Sequence, residues 1–233
     1  MRKLNPDDFR RLFVSEAGEL MDHFTRVSSS LTGSPHEKKD TTQLASTTFL
    51  ALYVTFERFL SGLFLAYINR DSSSFSPDLA NRVLSSVVDR YGQAVVSHTT
   101  FTIPNHLSYA ELLDLIDPHG WNLTFNDATQ IMQRAQSWLA PVHRTRVLSL
   151  TNDDCALIDT ARSIRDYIAH QSPASRAKMN QMLLTVSAHG GNPHLARAQY
   201  EVLSVGAYLK ALPVNITRLE IYVDRLTEIA QKL

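Results

Sequence analysis

The chain has 233 residues, 44% of them hydrophobic and 20% charged, enough apolar material for one good core or a core with an appendage. Lys and Arg total 23 and so do Asp and Glu, so the formal net charge is zero. That balance excludes bulk, non-specific attraction of nucleic acid; any such contact has to come from a local basic patch. The single cysteine, Cys155, excludes an internal disulfide framework and fits a reducing cytoplasm, where it reads as a small apolar residue.

Residues Met1 to Asp8 carry basic side chains with no apolar run behind them, so they do not read as a signal peptide. A first helix is expected from about Asp7 to Leu31, with Phe9, Leu12, Phe13, Ala17, Leu20 and Phe24 on one face, ended by Thr32-Gly33-Ser34-Pro35. A second, capped by Thr41 or Thr42, carries Phe49, Leu52, Tyr53, Phe56, Leu60, Leu63, Phe64 and Tyr67 at helical spacing. Leu50, Val54, Phe59, Leu65 and Ile68 add apolar surface on its other flank. Such a helix needs cover on two sides, from the centre of a bundle or from a second subunit. Its most apolar run, Phe59 to Ile68, is shorter than the roughly 20 residues that cross a bilayer, so no membrane span is expected.

Ser76-Pro77 starts a third helix, with Ser as cap. Residues Thr99 to Asn105 lean towards β-structure but are too short for a sheet of their own. Tyr109 to Ile116 is a short helix, and Thr124 caps another that runs to about Leu139. After Pro141 the chain is polar and basic until Leu148. Thr151-Asn152-Asp153-Asp154 opens a helix ending near His170, its acidic first turn suited to the positive end of the dipole. Three more helices are expected over Ser175 to Ala188, Leu195 to Leu212 and Val214 to Lys232, with Gly190-Gly191-Asn192-Pro193 as a break. The sum is a single all-α domain over residues 1–233. It is a helical bundle with core elements near 41–190 and extra N- and C-terminal helices, 1–35 and 194–233, flanking it.

On a helical wheel of about 100° per residue, Leu157, Ala161, Ile164 and Ile168 form one stripe, and Arg162, Asp166 and His170 a second that points away from the core. Arg165 borders the apolar stripe. Asp166 lies one turn before His170, so its carboxylate can contact the ring and fix a tautomer, and the helix C-terminus favours positive charge there. Arg165 offers a planar fork of donors to a phosphate oxygen. A proton-trading imidazole beside a phosphate-binding guanidinium is the minimum equipment for cleaving RNA without a metal.

Arg165-Asp166-Tyr167-Ile168-Ala169-His170, closing a helix and followed by a loop, resembles the Arg-x(4–6)-His motif of HEPN domains, in which Asn, Asp or His commonly follows the Arg. The helix from Thr41 to Arg70 is similar to the long early HEPN helix, and Tyr109 to Arg146, leading into residues 148–153, resembles the subfamily linked by name to RiboL-PSP proteins; the resemblance spans roughly Thr41 to Leu184. It implies a homodimeric, cofactor-free endoribonuclease whose two motif helices form one cleft. There His170 activates the 2′-OH or protonates the leaving oxygen, Arg165 steadies the phosphoryl charge and Asp166 orients His170. In an ideal helix Arg165 and His170 point about 140° apart, which also favours a second copy.

Glu57 is a charge inside the apolar second helix, where HEPN helices often carry an acid; alternatively it is solvated and paired with Arg58 or Arg70. Arg162 can reach Asp166 one turn on. Arg176 and Lys178 are candidates for binding RNA phosphates, or an ordinary basic first turn. The remaining histidines lack zinc-ligand spacing, and no nucleotide or nucleophile-elbow motif is present. The resemblance implies a toxin or antiviral-defence effector acting on RNA in the cytoplasm, with an antitoxin or a nucleotidyltransferase as partner. Two other readings stay open: a HEPN-like binding module without activity, and a helical interaction protein with no small-molecule site.

Overall fold

The computed structural model describes residues 3–98, 104, 106–117, 123–186 and 192–233. Among them the chain forms eleven α-helices, one 3₁₀ turn and no strand, so it is all-α. The expected β-leaning stretch falls outside the described residues except for Pro104, and so do His119, Trp121, His189 and the Gly190-Gly191 break.

The architecture is organised by α2 (Glu37–Arg70), 34 residues and so about 50 Å long. Every residue from Phe59 to Asn69 is buried, because neighbours cover the helix on all sides: α1 (Pro6–Leu31), α5 (Tyr109–Ile116), α8 (Asn152–His170), α10 (Val205–Lys210) and α11 (Arg218–Lys232). By length and composition α2 could cross a membrane, but 67% of its most apolar window is buried inside the protein. Aromatic side chains make the joints. Phe13 of α1 packs against Phe56 and Phe59, with ring centroids 5.5 and 5.3 Å apart, and Phe49 meets Tyr222 of α11 edge-on at 5.1 Å. Each buried ring of this kind contributes about 1.5–3 kcal/mol by leaving water. The flanking helices therefore share one continuous apolar cluster with α2.

Two small residues set how closely helices approach. A Cβ on Gly62 would sit 2.4 Å from the Phe9 ring, and one on Gly206 would sit 1.8 Å from the Thr42 carbonyl oxygen. Gly206 thus lets α10 lie directly on the backbone of α2. Asn69, buried near the end of α2, accepts from the Leu4 N–H (2.8 Å) and donates to the Leu107 carbonyl (2.8 Å), tying two chain segments to the helix end.

Several element boundaries differ from expectation. α2 begins at Glu37, so Thr41 and Thr42 lie inside it and donate to the carbonyls of Glu37 (2.7 Å) and Lys38 (2.6 Å) instead of capping. α3 (Phe75–Tyr91) starts from Ser74, with Ser76 in its first turn, and the four-residue α4 (Gln93–Val96) follows. α6 (Ala128–Trp138) is capped by Asp127, whose carboxylate accepts from Gln130 at 2.7 Å; Phe125 is left in the preceding loop, packed on Phe64. Pro141–Leu148 is a helix, α7, with Pro141 as its first residue. It shows no apolar period because only Val147 is buried.

α8 and its neighbour α9 (Pro173–Thr185) follow the expected pattern to within two or three residues, both with capping boxes. The expected helix over Leu195 to Leu212 is broken into a turn at Pro193–Leu195, an irregular run and the short α10. The buried side chain of Asn180 holds that run, accepting from Val202 N–H (2.7 Å) and donating to its carbonyl (3.3 Å), so the backbone pairs with α9 and not with itself. α11 starts at Arg218 behind a Thr217–Glu220 capping box, leaving Val214 and Ile216 exposed.

At the start of α8, Asp154 is fully buried. It accepts from the Thr151 N–H (3.0 Å) and from Lys232 of α11 (2.8 and 2.9 Å), while Arg225 bonds Asp153 at 2.8 Å. Burial alone would raise the Asp154 pKa, but the bonds from Lys232 and Thr151 outweigh it and hold it below the ordinary 3.8.

Gly206→Ala should destabilise the protein by about 3 kcal/mol or more in urea unfolding, since its Cβ meets main chain. Gly18→Ala, with nothing within 4 Å and a helical position, should stabilise by up to about 1 kcal/mol. Asp154 is lowered in the folded state, so its contribution is present above pH 3.8 and lost as pH falls through the folded value. Asp154→Asn should cost about 2–3 kcal/mol at neutral pH and flatten the acid limb of a stability–pH curve.

Candidate functional site

The Arg165–His170 segment forms the last turn and a half of α8. Leu157, Ala161 and Ile164 are buried as expected, with Ile168 partly covered. The second stripe does not point away from the molecule along its length. Arg162 and Asp166 are only 18% and 21% exposed, because α8 packs this side against α2 and the loop before α6. Arg162 donates to the Phe125 carbonyl in that loop, and Asp159, one turn earlier, accepts from the Ala128 N–H at 2.7 Å. Beyond its first residue, Asn152, the helix is exposed only at its end, Ala169 and His170.

Glu57, 108 residues away in sequence, comes to this face. Its carboxylate lies 3.2 Å from Nη2 of Arg165 and 3.9 Å from Nη1 of Arg162. The alternative partners are engaged elsewhere: Arg58 pairs with Glu16, and Arg70 donates to the Leu4 carbonyl at 3.3 Å. Asp166 completes the group, 3.0 Å from Nη1 of Arg165 and 3.6 Å from Nε of Arg162. Two carboxylates and two guanidiniums thus form a half-buried, charge-balanced quartet. Burial pushes the Glu57 carboxyl above its ordinary 4.5, with Arg165 and Arg162 pulling it only part of the way back. For Arg165, burial disfavours the charge, but Glu57 and Asp166 overcome it and hold the guanidinium more firmly protonated. The Nε of Arg165 is buried and has no hydrogen-bond partner.

The expected contact between Asp166 and His170 is absent: the carboxylate is drawn to Arg162 and Arg165, and no hydrogen bond or ion pair joins it to the ring. Asp166 therefore positions Arg165, not His170. His170 ends α8, and Gln171 after it adopts a left-handed conformation (φ 48°) and donates its N–H to the Tyr167 carbonyl at 2.9 Å. A non-glycine residue in this region is uncommon and turns the chain sharply into α9. Arg176 and Lys178, in the first two turns of α9, are exposed, with no ion pair among the described residues.

Tyr53 was legible in the sequence only as a core aromatic, yet it belongs to this site. It lies one turn before Glu57 on α2 and is 3% exposed. Burial, reinforced by Glu57, pushes its ionisation far up, so it stays a neutral phenol among the four charges. The signal available beforehand was the i, i+4 spacing of Tyr53 and Glu57 on one helix face. Cys155, 3.8 Å from the Met132 sulfur, has its thiol pKa raised by burial and offers no activated nucleophile.

A double-mutant cycle on Glu57→Gln and Arg165→Lys, read by chemical denaturation, should give a coupling of about 1 kcal/mol, against near zero for Arg165→Lys with Arg58→Lys. No family model matches the chain, and no curated protein or solved structure matches it, so the chemistry of this site rests on its own residues.

Proposed function

We propose that the chain is a metal-independent endoribonuclease of the HEPN type, acting in the cytoplasm as a homodimer and serving as a toxin or antiviral-defence effector. The observation that supports this reading most is the meeting of Glu57 on the long helix with Arg165 and Asp166, directly behind an exposed, helix-terminal His170. A structural ion pair alone accounts for the quartet; it does not account for an exposed imidazole projecting from the same helix end.

The proposed reaction is a transesterification. One His170 takes the proton of a ribose 2′-OH, and the oxygen attacks the adjacent phosphorus. The bond to the 5′ oxygen breaks, and a protonated imidazole supplies the proton that the leaving oxygen needs. The products are a 2′,3′-cyclic phosphate and a 5′-hydroxyl. Arg165 stabilises the charge on the phosphoryl oxygens, which requires it to share its fork between substrate and Asp166. Because Arg165 and His170 diverge by about 140° on one helix, the second copy of α8 supplies the complementary group. Arg176 and Lys178 extend the basic surface beyond His170 for the RNA backbone. DNA lacks the 2′-OH and is not cut.

A second reading is favoured by one observation: the two terminal nitrogens of Arg165 are already paired with carboxylates. It takes the chain as a HEPN-like binding module that partners a nucleotidyltransferase or another protein, whereas the first reading expects a cognate antitoxin as the controlling partner. Incubation of RNA with the protein in excess chelator separates the two. The nuclease reading expects cleavage that drops at least 100-fold in His170→Ala and in Arg165→Ala, and growth arrest on expression of wild type alone. Cleavage retained in His170→Ala, or absent from pure dimeric wild type, overturns it.

A further inference from the structure

A second site lies at the far end of α2. Arg70, Tyr67, His143 and Arg146, with Arg10 and Asp7 of α1, enclose a pocket of about 230 Å³. Its floor is rigid. The rings of Tyr67 and His143 stack at 4.2 Å, and Nη2 of Arg10 donates to the Tyr67 hydroxyl (2.5 Å) and to the Leu233 main-chain oxygen (2.6 Å). Arg10 is only 11% exposed, and its buried Nε has no hydrogen-bond partner.

The rim is basic and under-used. Arg146 is exposed and makes no side-chain hydrogen bond or ion pair among the described residues. Arg70 spends one N–H on the Leu4 carbonyl, and Lys3 bonds the Arg70 carbonyl at 3.0 Å. Facing these four cations are Asp7, paired with Arg10, and Asp71. A cation in the last turn of a helix is ordinary, and Arg70 and Arg146 each occupy such a place. The helix dipole does not explain why both converge on one concave pocket over a third, buried guanidinium. Guanidiniums so gathered repel one another and present planar forks suited to a tetrahedral oxyanion. Burial, then the nearby Arg70, lowers the His143 pKa, which leaves the imidazole a neutral hydrogen-bonding group in the floor.

We propose that this pocket binds a phosphoryl group, from a nucleotide or from an RNA backbone, with Arg70 and Arg146 as direct ligands and Arg10 as the buried charge beneath. The site is separate from the Arg165–His170 end: Arg70 lies 13 residues beyond Glu57, about 20 Å along α2.

The test is titration calorimetry of the full chain, at low ionic strength, with inorganic phosphate, AMP and a 2′-O-methyl RNA oligonucleotide, which binds without offering a 2′-OH to attack. Arg146→Ala removes a side chain with no partner in the fold; Arg70→Ala is the second variant, and exposed Arg26→Ala of α1 the charge-matched control. At least one probe should bind tenfold or more weakly to both pocket variants and unchanged to Arg26→Ala. Loss for phosphate and AMP assigns a free phosphate or nucleotide, and loss for the oligonucleotide alone assigns the RNA backbone. Absence of binding by all three probes, or an equal loss in Arg26→Ala, overturns the proposal. The same titration on His170→Ala should be unchanged, so failure of the ribonuclease reading and failure of this one are told apart.

Discussion

The long helix Glu37–Arg70 cannot stand in water. From Phe59 to Asn69 it turns an unbroken series of side chains inward on every side, and only neighbours around its whole circumference can cover them. The remaining topology follows from that need. α1 lies along one side through Phe9 and Phe13, α10 closes on the backbone at Gly206, α11 brings Tyr222 to Phe49, and α8 supplies Leu157, Ala161 and Ile164. The terminal helices are consequently walls of the same core that α2 occupies, and removing either would expose aromatic surface worth several kcal/mol.

The same constraint makes the candidate site. A helix buried this deeply can carry a carboxylate partway along only where a neighbour brings compensating charge. Glu57 is that carboxylate, and α8 meets it with Arg165 and Arg162. Asp166 then restores neutrality and is diverted from His170. The face of α8 expected to be open is therefore closed up to its last turn, and the exposed imidazole stands at the edge of a pre-formed ion-pair network. Burial raises the pKa of both carboxylates beside α8, but the net shifts are opposite. At Asp154 the hydrogen bonds outweigh it and stabilise the ionised acid, whereas at Glu57 desolvation prevails and the carboxylate is held less firmly.

At the C-terminal end of α2 positive charge collects without matching compensation. Arg10 is locked beneath by Tyr67 and Leu233, while Arg146 and most of Arg70 remain available. The middle and the C-terminal end of one helix thus hold a balanced and an unbalanced cluster, about 20 Å apart. A chain with zero formal charge can still present a local anion site, because only the placement of charges counts within a Debye length.

The sequence by itself determined the all-α class, the first two helices and the helix ending at His170. Their apolar periods are long, and at the start of α8 Thr151 caps neighbours within three positions. It also singled out Glu57, Arg165, Asp166 and His170 as chemically loaded. Only the tertiary structure decided which of them touch. Whether Glu57 pairs with Arg58, Arg70 or Arg165 depends on how α8 crosses α2, and local spacing cannot encode a contact across 108 residues. The failed elements have the same cause. Pro141–Leu148 is helical though it buries little, and residues 196–204 are not, with Val202 held by Asn180 and the Arg197 N–H by the Leu183 carbonyl. Tyr53 moved from core aromatic to site residue, and Arg10, Arg70 and Arg146, far apart in the chain, meet at one pocket, for that reason too: packing, not local order in the chain, brings such groups together.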